Sequence, residues 1–400
     1  MKVLNIVGAR PNFVKIAPLI SEMRKDAGIE PVLVHTGQHY DTEMSDSFFR
    51  DLDIPRPDYH LHVRPGSSAS QVSEIIGRLE LVMVQERPDA VLVVGDVNST
   101  LAGALTAVKL GIPVAHVEAG LRSFDRRMPE EINRVVTDAI SDLLFVTEPS
   151  GVENLLREGR PRQRIFLVGN VMIDTLKRAL SLADGADVVV SEVVAICSTH
   201  TSQPRYAVLT LHRQGLVDDP ALFGKIWAVL EEIGHQIPVI FPVHPRTKLR
   251  LREMGFRSAA DVSQSNGSGG IHMIAPLGYL EFLSLQKQAT FVLTDSGGVQ
   301  EETTALGVPC LTLRENTERP VTVTEGTNKI VGLDPEGIRR EVNRLLTGNV
   351  NEGRIPKLWD GRAAERIVRI LCEHFQTGGC GYQSEKESRT PASVTPASTH

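Results

Sequence analysis

A chain of 400 residues exceeds one ordinary α/β core and suits two domains of roughly 100–200 residues each, with a cleft between them. Apolar content of 41% and charged content of 23% exclude a disordered chain or a coiled coil. A formal charge of −6, with Lys and Arg scattered along the sequence, speaks against nucleic acid or a membrane surface as partner. Cys197, Cys310, Cys372 and Cys380 show neither CxxC pairs nor Cys/His ligand spacing, so a zinc or disulfide framework is not expected and a reducing, cytoplasmic setting is. The apolar run at the N-terminus stops at Gly8, too short for a signal peptide, and no stretch reaches the ~18 apolar residues of a spanning helix.

In chain order, Val3–Val7 reads as a first strand that passes through Gly8 and Ala9 into a helix. Pro11 suits a first helical position, which leaves Arg10 at the carboxyl end of the strand. The junction lacks the GxGxxG fingerprint, and an ordinary turn explains it equally well. Pro31–His35 and Ala90–Val94 are the next strands, and the latter runs into Gly95 and Asp96, where open α/β sheets bind ligands. Helix capping is the competing role for Asp96. Pro113–Val117 ends in Glu118, a second carboxylate on the same rim, and two such strand ends favour a site over caps. Pro129-Glu130-Glu131 opens a helix whose acidic first turn complements the helix dipole; for Glu130 taken alone that plainer role leads. Leu143–Val146 completes the series, and strands alternating with amphipathic segments imply a parallel sheet.

A second series follows: Tyr206–Leu211, Pro238–Pro242, Ile271–Ile274, Phe291–Thr294 and Pro309–Leu313. The expected fold class is therefore α/β, two Rossmann-like doubly wound domains with a cleft between them. The boundary falls between Val171 and Pro204 and is placed early, giving domains 1–171 and 172–359. A last amphipathic helix over 360–375 crosses back to the first domain. Residues 376–400, rich in Gly, Ser, Thr and Pro, read as a disordered tail. His212 and Arg213 end one strand and His244 another, and cations at two strand ends suit a diphosphate. Ser296-Gly297-Gly298 after a strand lets backbone N–H groups approach phosphate at a helix N-terminus, the sharpest local signal. Glu302, one turn into that helix, is placed to accept ribose hydroxyls, or merely serves the dipole. The glycines of Asn266–Gly270 precede a strand and mark a loop, not a phosphate site.

Taken together, Gly8-Ala-Arg-Pro11, His35-Thr-Gly-Gln-His39, Gly95-Asp96, His116-Val-Glu-Ala-Gly-Leu-Arg122, Pro129-Glu-Glu131, Ser296-Gly-Gly-Val-Gln-Glu-Glu302 and Thr317-Glu-Arg-Pro320 closely resemble the non-hydrolysing UDP-N-acetylglucosamine 2-epimerases. The motifs run in order from Met1 to about Phe375. The resemblance implies a GT-B-like fold and reversible inversion at carbon 2 of UDP-N-acetylglucosamine, by elimination of UDP to a 2-acetamidoglucal and re-addition. It implies a cytoplasmic homodimer that binds UDP-sugar and UDP, with no metal and no other cofactor. By position, Asp96, Glu118, Glu130 and His212 surround the hexose as catalytic groups. Arg10, Lys15, Arg213, His244 and Arg319 contact substrate, Ser296, Gly297 and Gly298 the diphosphate, Glu302 the ribose, and Phe282 the uracil. Gln38, His39 and His244 match positions that bind an activating second UDP-N-acetylglucosamine. Two departures stand out: Asn12 where many relatives carry Glu, and Gln214-Gly215-Leu216 after the His-Arg pair where they carry an acidic or Asn-containing stretch. Other readings are a 2-epimerase of a modified substrate such as UDP-2,3-diacetamido-glucuronic acid, a GT-B glycosyltransferase, and a catalytically silent UDP-sugar binder.

Overall fold

The computed structural model describes residues 1–37, 54–182, 205–211, 219–243, 245–255, 270–349 and 353–375. The first half runs β1 (Lys2–Val7), α1 (Arg10–Met23), β2 (Glu30–His35), β3 (Tyr59–His60), α2 (Ser68–Glu86), β4 (Ala90–Val94), α3 (Asn98–Lys109), β5 (Val114–Ala119), α4 (Pro129–Ile140), β6 (Leu143–Val146), α5 (Pro149–Arg157), β7 (Ile165–Leu167) and α6 (Val171–Leu182). Its strands form one parallel sheet in the order β3-β2-β1-β4-β5-β6-β7. The chain order reverses between β1 and β4, which opens a crevice beyond their carboxyl ends. Strands covered on both faces carry near-continuous apolar runs, and Ala90–Val94 is fully buried along its length.

The second half runs β8 (Ala207–Thr210), α7 (Pro220–Gln236), β9 (Val239–Pro242), α8 (Pro245–Glu253), β10 (Ile271–Ile274), α9 (Tyr279–Lys287), β11 (Phe291–Thr294), α10 (Gly297–Leu306), β12 (Cys310–Thr312), α11 (Pro320–Thr324), β13 (Asn328–Ile330) and α12 (Pro335–Leu346), and a last helix, α13 (Ala363–Phe375), follows. Its parallel sheet has the order β10-β9-β8-β11-β12-β13, with the same reversal between β8 and β11. Two doubly wound parallel sheets are thus present, as expected. Three strands were not anticipated: β3, β7 and β13. Each has two or three residues and lies at a sheet edge, too short to carry a periodic signal.

The halves are joined by packing as well as by chain. Phe13, Ile16 and Ile20 of α1 share one core with Leu176 of α6, Tyr279 and Leu283 of α9, and Ile367 and Leu371 of α13. The first N–H groups of a helix have no partner within it. In α13 those of Ala363 and Ala364 are met by the Asp174 carboxylate on α6, at 3.1 and 2.7 Å. Each fully buried aliphatic side chain in this core contributes about 1.5–3 kcal/mol. Among the described residues, no helix is long and apolar enough to cross a membrane.

Candidate active site

The crevice beyond β1, β4 and β5 is lined from three directions. Asn12, one turn into α1, accepts from the Gly8 and Ala9 N–H groups at 3.2 and 3.1 Å and donates to the Val94 carbonyl at 2.9 Å. It clamps the first turn to the end of β4. A glutamate there has no N–H to give Val94, so the departure from the family pattern has a local structural use. Lys15, next along α1, is buried and reaches across Gly95 to an ion pair with Glu118. Gly95 makes that passage possible: its φ is +68°, and a Cβ there would stand 3.0 Å from the Lys15 Nζ.

Glu118 lies inside β5, 4% exposed, with φ at +72°. Pairing between β5 and β6 shifts register from Val117 to Ala119, so a bulge turns this residue out of the ladder. A left-handed conformation at a non-glycine residue costs of order 1–3 kcal/mol and persists only where its surroundings hold it. The holding groups are Lys15 from the first half and Arg319 from the second, whose Nη2 lies 3.4 Å from the other Glu118 oxygen. Arg319 also pairs with Glu301 at 2.6 Å, and Asn170 donates to the same Glu301 oxygen at 2.9 Å. Burial works against the Arg319 charge, but Glu301, Glu118, Glu318 and Asp96 outweigh it and hold the guanidinium charged. Burial pushes the Glu301 carboxyl upward, and Glu118 and Glu148 add to that. Glu148 is itself raised, chiefly by burial.

Asp96 sits half-buried at the end of β4, where Arg134 of α4 pairs with it at 2.7 Å. Burial opposes its charge, yet Arg134, Lys15 and Arg319 hold its carboxyl below the ordinary range. The same Arg134 pairs with Glu131 at 2.8 Å, and Glu131 accepts from the N–H groups of Ser123 and Phe124. Asp138, further along α4, takes His116 Nδ1 at 2.7 Å and the Gly120 N–H at 3.0 Å, while His116 Nε2 contacts the Gly95 carbonyl at 2.8 Å. Burial disfavours the Asp138 charge, but His116 and Arg122 beside it keep the carboxyl low.

Across the crevice, Ser296 caps α10 with extended backbone, and Gly297 and Gly298 open the helix. Gly297 permits a close approach, because a Cβ there would lie 2.7 Å from Glu318. The loop carrying Glu318 and Arg319 is tied to α10 by Thr317 donating to Gln300 at 2.6 Å. Glu302 is buried, accepts from Gln286 at 2.8 Å, and faces the Tyr279 hydroxyl, whose pKa is driven well above normal by burial and by this carboxylate. Phe282, half-buried, packs against the apolar cluster that contains Tyr206, Val208 and Val299. No group of three or more His, Cys, Asp and Glu among the described residues is placed to hold a metal.

Of the residues singled out from sequence, Asp96, Lys15, Glu118 and Arg319 come together, while Ser296, Gly297, Gly298, Phe282 and Glu302 lie on α9 and the start of α10. Arg10 is the first residue of α1. Glu130 is exposed, with no hydrogen bond or ion pair among the described residues; its neighbour Glu131 is the buried one. Gln38, His39, His212, Arg213 and His244 lie outside the described residues. Sequence reasoning missed Glu131, Arg134, Asp138, Asn170 and Glu301. Glu131 stood in a quoted motif beside Glu130, but nothing in the spacing said which of the two is buried.

Residues 21–372 match the sequence profile of the UDP-N-acetylglucosamine 2-epimerases. A UDP-N-acetylglucosamine 2-epimerase of Methanocaldococcus jannaschii is 44% identical over 373 residues, 93% of this chain and 99% of that one. A UDP-2,3-diacetamido-2,3-dideoxy-D-glucuronate 2-epimerase of Pseudomonas aeruginosa is 39% identical over 377 residues, 93% and 100% of the two chains. The crystal structure of the Methanocaldococcus jannaschii UDP-GlcNAc 2-epimerase in complex with UDP-GlcNAc and UDP superposes with a TM-score of 0.83 at 43% identity, covering 93% of this chain and all of that one. With its paired parallel sheets and matched motifs, the chain belongs to the UDP-N-acetylglucosamine 2-epimerase family.

Proposed function

We propose that this chain interconverts UDP-N-acetylglucosamine and UDP-N-acetylmannosamine in the cytoplasm, as a homodimer, by eliminating and re-adding UDP. The observation that carries this reading is the group Lys15, Glu118 and Arg319: a buried carboxylate in left-handed backbone, held by one cation from each half. Carbon 2 of a hexosamine has no neighbouring carbonyl, so its proton is not acidic enough for direct removal. Breaking the bond from carbon 1 to the bridging oxygen sends its electron pair to UDP and leaves an oxocarbenium-like centre. A carboxylate then takes the carbon 2 proton, and the C–H electrons form the double bond of the glycal. Protonation from the other face and return of the UDP oxygen to carbon 1 complete inversion.

In this assignment residues 1–171 with helix 360–375 face the sugar, and 172–359 hold the nucleotide. Asp96 and Glu118 exchange the proton, with Glu130 and His212 as further groups around the hexose. Arg10, Lys15, Arg213, His244 and Arg319, with the backbone at Ser296, Gly297 and Gly298, take the charge of the departing diphosphate. Glu302 accepts the ribose hydroxyls and Phe282 lies beside the uracil. Gln38, His39 and His244 form the candidate site for a second, activating UDP-sugar.

The 39% identity to the Pseudomonas aeruginosa diacetamido-glucuronate epimerase favours a second reading, in which the same chemistry acts on a modified UDP-sugar. Incubation with each substrate, followed by proton NMR of the sugar ring, separates the two. Formation of UDP-N-acetylmannosamine with the higher kcat/KM supports the first reading, and turnover confined to the diacetamido-glucuronate overturns it.

A further inference from the structure

Helix α4 turns polar residues inward, toward the site, and Asn133, Arg134 and Asp138 are buried on that face. Asn133 donates to the Asp96 carbonyl at 2.9 Å and Arg134 pairs with the Asp96 carboxylate at 2.7 Å, so Asp96 is held by backbone and side chain together. Glu118 is reached differently, through the residues on either side of its bulge. Asp138 Oδ1 lies 2.7 Å from Nδ1 of His116, which precedes Glu118, and Asp138 Oδ2 accepts from the N–H of Gly120, which follows it, at 3.0 Å. Gly120 is fixed on its other side as well: Asn154 donates to its carbonyl at 3.0 Å, and a Cβ there would lie 2.4 Å from the Gly151 carbonyl oxygen. One carboxylate thus spans the irregular step of β5. Lys15 and Arg319 hold the side chain of Glu118, and Asp138 holds its backbone.

His116 carries that hold across to the neighbouring strand. Its Nε2 is 2.8 Å from the carbonyl oxygen of Gly95, whose own N–H donates to the Val117 carbonyl at 3.0 Å. The Gly95 carbonyl belongs to the peptide that joins Gly95 to Asp96, so its orientation sets how Asp96 leaves the end of β4. Both neighbours of the ring are acceptors. The carbonyl can be nothing else, and Asp138 receives Arg122 Nη1 at 2.7 Å and the Gly120 N–H, which favour a carboxylate. A neutral imidazole has one donor and one acceptor nitrogen, so either tautomer would set a lone pair against an acceptor at 2.7 or 2.8 Å. Both nitrogens of His116 therefore carry hydrogen. The charge is balanced locally, because His116 and Arg122 face Asp138 and Glu158.

We propose that Asp138 and a doubly donating His116 form a positioning pair that sets the separation of Asp96 and Glu118, by fixing the Gly95 peptide and both flanks of the Glu118 bulge. The inference rests on the proton-transfer roles given above to Asp96 and Glu118. Asp138 and His116 are fully buried behind those carboxylates and do not touch the reacting atoms. Reacting groups keep their geometry when the residues behind them are themselves locked, and a displacement of about 1 Å costs roughly 10²-fold in rate.

The nitrogen-15 spectrum of the substrate-free full chain, labelled at histidine and assigned with a His116 variant, should show both His116 nitrogens as N–H. A His116 nitrogen without hydrogen overturns the proposal. Asp138→Asn keeps the shape and removes the charge. It should leave His116 with one N–H, lower kcat about 10²-fold, and keep KM and the calorimetric UDP affinity within about twofold. Wild-type turnover, or UDP affinity lost in step with kcat, overturns the pair's positioning role. Should Asp138→Asn fail to fold, two variants divide the bonds of the histidine. A Gln amide nitrogen reaches the place of Nε2 and still donates to Gly95, whereas the shorter Asn amide stays near Nδ1 and does not. His116→Gln should keep about tenfold more of the turnover than His116→Asn, and equal losses overturn the proposal. The nitrogen signature is read without substrate, so a chain inactive on every UDP-sugar would sink the functional assignment and leave the His116 hydrogens to be judged separately.

Discussion

Glu118→Gln removes one charge from the buried group at the centre of the site and keeps its shape. Breaking a buried ion pair from one side costs about 3–5 kcal/mol when the remaining charge is stranded. Here neither cation is stranded: Arg319 keeps Glu301 at 2.6 Å, and Lys15 keeps the field of Asp96. The loss of stability should therefore be smaller, about 1–3 kcal/mol by the same reasoning. The cost of the left-handed backbone at φ +72° is common to both residues and cancels. Turnover should fall far more, because the amide cannot carry the proton; the expected loss is about 10²–10⁴-fold in kcat, or roughly 3–5 kcal/mol in the barrier. UDP affinity should stay near wild type, since the amide keeps its shape beside Lys15 and Arg319 and the proposed ribose and uracil contacts, Glu302 and Phe282, lie on α10 and α9. The assays are urea unfolding, calorimetry with UDP, and NMR of the sugar ring. Turnover within about twofold of wild type would remove Glu118 from the proton transfer. Parallel loss of UDP affinity would make it a binding group.

Glu302→Ala should weaken UDP binding by about 10–100-fold, as expected for a lost charged hydrogen-bonding group, with kcat changed much less; unchanged affinity by calorimetry refutes its ribose role. Arg134→Gln takes away the cation that does most to keep the Asp96 carboxyl low, so the acid limb of the kcat/KM profile should move to higher pH, and a limb that stays in place would show that Asp96 does not act there as a base. His35, stacked on Phe13 and His60, has its pKa lowered to about 4 by burial and by His60 and His62. The unfolded chain binds a proton near pH 6.5 that the folded chain refuses until about pH 4, so stability is full above about 6.5 and falls as pH drops through that window, by up to about 3 kcal/mol. His35→Phe should flatten that part of the urea-midpoint curve, and an unaltered slope would place the acid sensitivity elsewhere.

The strand ends were legible because a buried parallel strand is a continuous apolar run with abrupt limits: Ala90–Val94, Leu143–Val146 and Phe291–Thr294 have the limits expected from sequence. The carboxylates Asp96 and Glu118 were legible for the same reason, as polar residues at the ends of such runs. What spacing could not carry is contact between distant segments. Arg319 and Glu118 are 201 residues apart, and Glu301 and Asn170 join them only through the packing of the two halves. Glu130 and Glu131 could not be told apart because the choice depends on the phase of α4. Its apolar positions, Ile132, Val135 and Val136, face outward, against the rule that puts the apolar stripe toward the core. Positive φ at Glu118 likewise leaves no trace in composition, since it arises from a bulge held by cations from both halves.

The central claim is elimination and re-addition at carbon 1 driving inversion at carbon 2. Its most direct test is a double-label experiment in deuterated water, with oxygen-18 in the bridge between carbon 1 and the β-phosphate of UDP-N-acetylglucosamine. The epimer should gain deuterium at carbon 2, and recovered substrate should show oxygen-18 scrambled from the bridge into non-bridging positions of the diphosphate. Inversion that retains the carbon 2 hydrogen and leaves the bridging label in place would contradict it.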